Sequence, residues 1–312
     1  MISDHGIDEA RLIHPTLAEL KASSYDSPNI EAALEGLHQD GFVVLKSVVD
    51  VAHVDHLNVQ MSKEADDLLN NNLKPEPANI LQAPPLKDSD YLHNDIFFNP
   101  FVIQVVNAYL GTKPIWNFLT GNNALPKTNG LRQPVHKDIT FFHPQCPFFL
   151  IANVPLCPFD VTTGSTEFWL GSHASTTGKD QEIATAETKL ANATLREGEP
   201  SIFVLPELIE KRRQTRPPIQ PVCERGDIML RDVRTWHAGM PNESENYRIM
   251  LALGYQAQWY ENHTLRVKLP LSQGNFFMKH GGQPVEVRAD LLPDDSDFVK
   301  LNDDFSFRRS ID

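Results

Sequence analysis

A chain of 312 residues and 35.2 kDa is long enough for one large domain or two small ones, either with a sizeable core. Its composition, 41 % hydrophobic, 22 % charged and 9 % aromatic, is globular and excludes collagen-like, coiled-coil and globally disordered chains. Lys and Arg number 28 against 41 Asp and Glu, a formal charge of −13. Phosphate backbones and anionic membrane surfaces repel such a chain, so neither nucleic acid nor membrane is expected as a partner. Cys146, Cys157 and Cys223 lack CxxC or zinc-ribbon spacing and read as reduced thiols. No basic start with an apolar run opens the sequence, and the apolar run from Phe148 is broken by Asn153 and Pro155. These features point to a cytoplasmic protein.

The first 25 residues are polar and are expected to form an N-terminal arm. Ser27 and Pro28 suit a helix start, Ile30, Ala33, Leu34 and Leu37 follow helical spacing, and Gly41 closes the helix. A short buried strand over 42–45 follows. Val54, Leu57, Met61, Ala65 and Leu68 mark a second helix from Asp50 to about Asn72, and a proline-spaced loop (Pro75, Pro77, Pro84, Pro85) comes next. Asn99 and Pro100 open a third helix that Gly111 ends. Beyond Pro114 the pattern becomes β-like: runs at 115–120, 135–142, 148–154, 166–170, 201–205, 227–233 and 248–259 are separated by Gly, Pro, Asn and Asp. Helices followed by many strands predict a mainly β barrel or sandwich with flanking helices, as one domain over 26–312. Residues 174 to about 221 read as a long insertion of mixed charge, whose Lys211-Arg212-Arg213 run is expected to be a solvated face.

Of the 12 histidines, four occur as His-x-Asp: His38/Asp40, His53/Asp55, His93/Asp95 and His136/Asp138. Four copies show that the triplet alone carries no specificity. The first two lie on predicted helices, where residues two apart point about 200° from each other and cannot share an ion. His93/Asp95 sits in a loop and stays open. His136/Asp138 heads a predicted strand, where period two places His136, Asp138, Thr140 and Phe142 on one face. A third ligand is best supplied by His237, in a strand that runs into a turn. Two histidines and one carboxylate leave positions open for a ferrous ion to bind a co-substrate and dioxygen. The alternative, ordinary hydrogen-bonded histidines, is equally compatible with the triplet itself.

The context is more specific. Asp40-Gly-Phe-Val-Val-Leu45, Val135-His-Lys-Asp138, Gly164-Ser-Thr166, Gly171-Ser-His173, Gly226-Asp227, Trp236-His-Ala-Gly239, Asn242 and Tyr247-Arg248 occur in this order. The series resembles the phytanoyl-CoA dioxygenase family of Fe(II)/2-oxoglutarate oxygenases over roughly residues 30 to 260, and is most similar to its microbial secondary-metabolite branch. The resemblance implies a double-stranded β-helix (jelly roll) with iron on His136, Asp138 and His237. It also implies 2-oxoglutarate on Arg248, which stands eleven residues after the distal histidine, with Gln133 and Thr166 assisting. Thr163-Gly164 and Leu170-Gly171 depart from the family's usual Asn-Gly and Pro-Gly at these turns, and His173 reads as structural. An aspartate at 138, where related halogenases have a small residue, favours oxygenation over halogenation.

The implied activity is oxidation of a small organic molecule by hydroxylation, desaturation or ring formation, with Fe(II), 2-oxoglutarate and O2, and a homodimer as the candidate assembly. Strand parity from Arg248 puts Gln256 on the inner face, as a candidate substrate contact or a bond to the scaffold; Phe142, on the iron-side face of its own strand, is a candidate pocket wall or a core residue. Arg234 is expected in a surface salt bridge. Two other classes compete: a zinc hydrolase on the same ligands, for which no neighbouring general base is evident, and a non-catalytic jelly-roll binding module.

Overall fold

The protein is represented by a computed structural model, which describes residues 9–71, 78–188, 195–280, 284–298 and 305–310. Much of the expected arm is folded: β1 (Leu12–Ile13) pairs in parallel with β2 (Phe42–Leu45), and α1 (Leu17–Ala22) has a capping box between Thr16 and Glu19. Residues 1–8, and Pro75 and Pro77 of the proline-spaced loop, lie outside the described residues. Helix α2 (Ser27–Asp40) ends at Gly41, whose φ of +70° suits a residue without Cβ. In α3 (Val51–Asn70), Val54, Leu57, Met61 and Ala65 form the buried stripe, and the Asp50 side chain caps the Ala52 N–H. After β3 (Asn79–Leu81) and the single turn α4 (Asn94–Phe97), helix α5 (Pro100–Leu110) begins with the Asn99 side chain accepting from Phe101 and Val102.

The large sheet is built from β2, β4 (Ile115–Ala124), β5 (Phe149–Pro155), β9 (Ile228–Asp232) and β11 (Met250–Gln256), in the order β1-β2-β9-β5-β11-β4-β13, where β13 is Glu286–Val287 and β3 pairs with β4. Helices α2 and α5 cover one face, burying Leu37, Val105, Val106 and Tyr109 against Leu150, Leu230 and Leu253. The opposite face looks onto a thin second layer. There β6 (Glu167–Phe168) pairs with β10 (His237–Ala238), and single bridges join His136 to His237 and to Phe203 of β8 (Pro200–Val204), and Phe168 to Ile219. Strand β7 (Gln181–Ile183) pairs with β8. Two layers linked this way form the double-stranded β-helix. A small parallel pair, β12 (Val267–Pro270) with β14 (Ala289–Leu292), packs beside α7 (Gly274–Met278). No helix among the described residues is long and apolar enough to cross a membrane.

Two expectations need correction. Residues 135–142 do not form a strand; pairing is confined to a bridge at His136. The Ile139 carbonyl is taken by the Gln181 side chain (2.6 Å) and the Thr140 carbonyl by Arg308 (3.1 Å), so side chains replace the neighbouring strand. Period two is lost with it: Phe142 is 61 % exposed, and Phe141 turns inward instead. Within the stretch read as an insertion, β8 and Ile219 belong to the second layer and α6 (Pro206–Thr215) packs onto it. In the basic run Lys211 and Arg213 are exposed, as a solvated face requires, while Arg212 donates to the Leu170 carbonyl and Arg213 lies 4.9 Å from the Trp169 ring.

Candidate metal centre and active-site cavity

His136 and His237 are brought together by reciprocal backbone hydrogen bonds of 2.9 and 3.0 Å, which fix their rings 4.3 Å apart. Each Nδ1 faces a backbone carbonyl, Pro134 O at 2.8 Å and Thr235 O at 3.1 Å. A carbonyl can only accept, so Nδ1 carries the proton and each Nε2 presents a lone pair. Both Nε2 atoms approach Asp138 Oδ1, at 3.7 and 3.6 Å. The three ligand atoms lie within 4.8 Å of one another, the one such group of His, Cys, Asp or Glu among the described residues. Two neutral imidazoles and a carboxylate on one side of a cavity suit a ferrous ion with open positions.

The electrostatics agree with that donor set. Burial pushes His136 down and His237 well below the ordinary imidazole value, with Arg231 adding to the effect, so both rings stay neutral. Burial alone would raise Asp138, but the charge and hydrogen bond of Arg231 hold its carboxyl well below the usual carboxylate range. Arg231 Nη2 meets Asp138 Oδ2 at 2.5 Å, which leaves Oδ1 for the metal. Between the ligands, Lys137 is fully buried and donates to Thr176 Oγ1 (2.9 Å), Thr177 O (2.9 Å) and His143 Nε2 (3.1 Å). It ties the ligand-bearing segment to the 174–180 turns. Ser172 accepts from the Trp236 N–H at 2.8 Å and steadies the other ligand strand. His173 is buried beside Gly41.

A cavity of about 250 Å³ opens from the triad between the two layers. Gln133, Thr166 and Arg248 line it together with His136, Asp138 and His237. Gln133 Oε1 accepts from Gly239 N at 2.9 Å, which holds its amide against the turn after His237. Arg248 is only 3 % exposed; it bridges Ala124 through the backbone and lies 5.0 Å from the Phe159 ring. Among the described residues its guanidinium makes one hydrogen bond, a long one to Asn122 O at 3.4 Å; Nε has no partner there and no carboxylate pairs with it. Burial pushes this guanidinium down to about 10. A cation kept dry without a counter-charge is costly, and a carboxylate of a bound molecule would relieve it.

Other expected contacts fall elsewhere. Gln256 is fully buried but outside the cavity: it accepts from Asn117 and donates to the carbonyls of Tyr260 and Asn262, so it braces the scaffold. Arg234 is 2 % exposed and forks onto Asp232 with two bonds of 2.7 Å, a buried pair rather than a surface one. His93 stacks on His53 at 4.0 Å while Asp95 bonds His53 Nδ1 at 2.8 Å, an arrangement that leaves no chelating face. Residues that sequence reading missed are Arg231, Phe118, Phe141 and the tail residues Phe305 and Phe307, all on the cavity wall. For Arg231 a signal existed: it is a charged residue in a buried strand, directly after the apolar Ile228-Met-Leu230.

Among solved structures, the chain is similar to the epimerase SnoN in complex with Fe3+, alpha ketoglutarate and nogalamycin RO. Identity is 17 %, with 86 % of this chain and 98 % of that chain covered, at a TM-score of 0.53. A second structure of SnoN, described as a non-heme alpha ketoglutarate dependent epimerase from nogalamycin biosynthesis, gives 17 % and 0.52 over 86 % and 95 %. EvdMO1 gives 17 % and 0.50 over 73 % of this chain and 50 % of that one. At these identities the likeness establishes the shared fold. The family model for phytanoyl-CoA dioxygenase matches residues 37–250. With two thirds of its length matched and a His-Asp-His group inside a jelly roll, the chain belongs to the phytanoyl-CoA dioxygenase (PhyH) family, whose members use Fe(II), 2-oxoglutarate and O2.

Proposed function

We propose that His136, Asp138 and His237 hold a ferrous ion, that Arg248, Gln133 and Thr166 seat 2-oxoglutarate, and that the enzyme oxidises a small organic molecule in secondary-metabolite biosynthesis. The last part draws on the nogalamycin context of SnoN. Three free cysteines support a cytoplasmic location. The observation that carries the reading is Arg248, a buried guanidinium with no acidic partner among the described residues, in the same cavity as the triad. The planar fork matches a carboxylate, and the Phe159 ring beneath it limits its freedom.

When bound, iron and 2-oxoglutarate activate dioxygen and supply the oxidising power for removing a hydrogen atom from the substrate. The chain's own residues supply geometry and dryness. The Pro134 and Thr235 carbonyls keep both Nε2 atoms unprotonated, and Arg231 keeps Asp138 ionised with one oxygen free. Phe141, Phe168 and Phe307 exclude water from the cavity wall. A hydrolase on the same ligands would need a second acid or base beside the metal, and Asp138 is the only carboxylate among the described lining residues.

The test is turnover without a prime substrate. With Fe(II), 2-oxoglutarate and air, the protein is expected to release succinate slowly, and Zn(II) in place of Fe(II), or Arg248→Leu, should stop it. Succinate release that is indifferent to both changes would contradict the proposal.

A further inference from the structure

Residues 305–310 cross from one layer to the other beside the active-site cavity. On the large-sheet side, just after β11, the Tyr260 hydroxyl donates to Phe307 O at 2.7 Å and the Asn262 amide to Ser306 O at 2.8 Å. On the far side Arg308 forks onto Glu199, the residue before β8, with bonds of 3.0 and 2.5 Å, and also donates to Thr140 O at 3.1 Å. A short stretch of tail held at both ends is a strap, and the bidentate ion pair gives its far end a defined position.

The strap presents Phe305 and Phe307 to the cavity, and Phe118 of β4 completes a cluster of three lining rings. Phe118 lies 4.7 Å from Phe305 and 5.4 Å from Phe307, and those two are 5.3 Å apart, at tilted or edge-on angles. The rings are not equivalent. Phe307 is 3 % exposed and seated on Phe149 at 4.5 Å, so it belongs to the core beneath the cavity. Phe305 is only half-buried. A second cavity of about 200 Å³, lined by residues 117–119 of β4 and by residues 264–268, shares Phe118, Phe305 and Ser306 with the first. The wall between the two cavities is therefore made of Phe118, which a sheet strand fixes, and Phe305, which the strap alone carries.

Taking the cavity as the substrate site, and so resting on the proposed reading, we infer that Phe305 is a specificity-determining residue. The substrate carries an uncharged, apolar ring system that packs against Phe118, Phe305 and Phe307, and the Phe305 ring limits its length by closing the way into the second cavity. Three phenyl groups favour an apolar ring over a polyol, whose hydroxyls would give up water to surfaces that offer no hydrogen bond in return.

The probes are 2-naphthylmethanol, 1-pyrenylmethanol and myo-inositol, titrated by calorimetry under argon into protein loaded with Fe(II) and 2-oxoglutarate. Wild type is expected to bind the naphthyl probe, to bind the larger pyrenyl probe at least about tenfold more weakly, and to bind no inositol. Phe305→Ala should reverse the order of the two ring probes, because loss of the ring joins the cavities, while its affinity for 2-oxoglutarate stays within about threefold of wild type. Phe305→Leu keeps the partition filled and should keep the wild-type order. No preference for the smaller ring in wild type, an unchanged order in Phe305→Ala, a parallel loss of both ring probes, binding of inositol, or no binding of either ring probe each overturns the inference. Failure of the cofactor reading shows separately: a missing charge-transfer band on adding 2-oxoglutarate, with the reversal still present in calorimetry, removes the iron assignment and leaves the role of Phe305 standing.

Discussion

Replacing Arg248 with leucine should move two quantities in opposite directions. In the ligand-free protein the guanidinium is desolvated to the point that its pKa falls to about 10. Against the ordinary value of 12.5 this corresponds to about 3 kcal/mol of unfavourable burial. Leucine removes that cost, while the loss of the contact with Phe159 and of the long bond to Asn122 takes back about 1–2 kcal/mol. The apo variant should therefore be as stable as wild type or up to about 2 kcal/mol more stable in urea denaturation. The 2-oxoglutarate complex behaves oppositely, because a buried carboxylate would lose its charged partner at a cost of about 2–5 kcal/mol. Calorimetry of 2-oxoglutarate into the Fe(II)-loaded variant under argon should show affinity lower by about thirtyfold or more. Affinity within threefold of wild type would refute the assignment of the anchor. A variant that is both destabilised and unchanged in affinity would make Arg248 a purely structural cation.

Asp138→Ala should abolish stoichiometric Fe(II) loading and also strip Arg231 of its counter-charge. Because the carboxylate is 28 % exposed, the stability loss should sit near the low end for a broken buried pair, about 3 kcal/mol in denaturant titration. Gln256→Leu should cost about 2–4 kcal/mol through three lost scaffold hydrogen bonds, yet leave 2-oxoglutarate affinity unchanged; a selective loss of affinity would return Gln256 to the site. Stability should also fall on acidification. His143 is pushed by burial and Lys137 to about 4, and His136 and His237 are lowered too. In the unfolded chain these rings take up protons below about 6.5 while the folded ones resist, so stability is full above that pH and declines as pH falls toward 4. At pH 5, His143 alone contributes a loss of about 2 kcal/mol, and His143→Gln should flatten the pH profile by that amount.

Legibility in the sequence followed the strength of local rules. Helices α2, α3 and α5 were readable because caps and helical spacing agree at Gly41, Asp50 and Asn99, and the strands of the large sheet because their apolar runs are long. His136 and Asp138 do come together with His237, but not through a strand, which the chain does not form. What holds the two side chains together is one bridge to His237 and an ion pair to Arg231, both long-range and invisible to periodicity. The same loss of alternation misplaced Phe142 in favour of Phe141. For Gln256 parity left two roles open, a substrate contact or a bond within the scaffold, and Asn117 with the chain at 260–262 takes it into the second. The tail wall of Phe305 and Phe307 could not have been placed, because it is set by bonds to Tyr260, Asn262 and Glu199 from distant parts of the chain.

The most direct measurement is an anaerobic titration of the metal-free protein with Fe(II) and then 2-oxoglutarate, followed by visible absorption. A metal-to-ligand charge-transfer band should appear at one equivalent of each and vanish in Asp138→Ala and Arg248→Leu. A folded, iron-loaded protein that shows no band on adding 2-oxoglutarate would contradict the assignment of this cavity as an Fe(II)/2-oxoglutarate site.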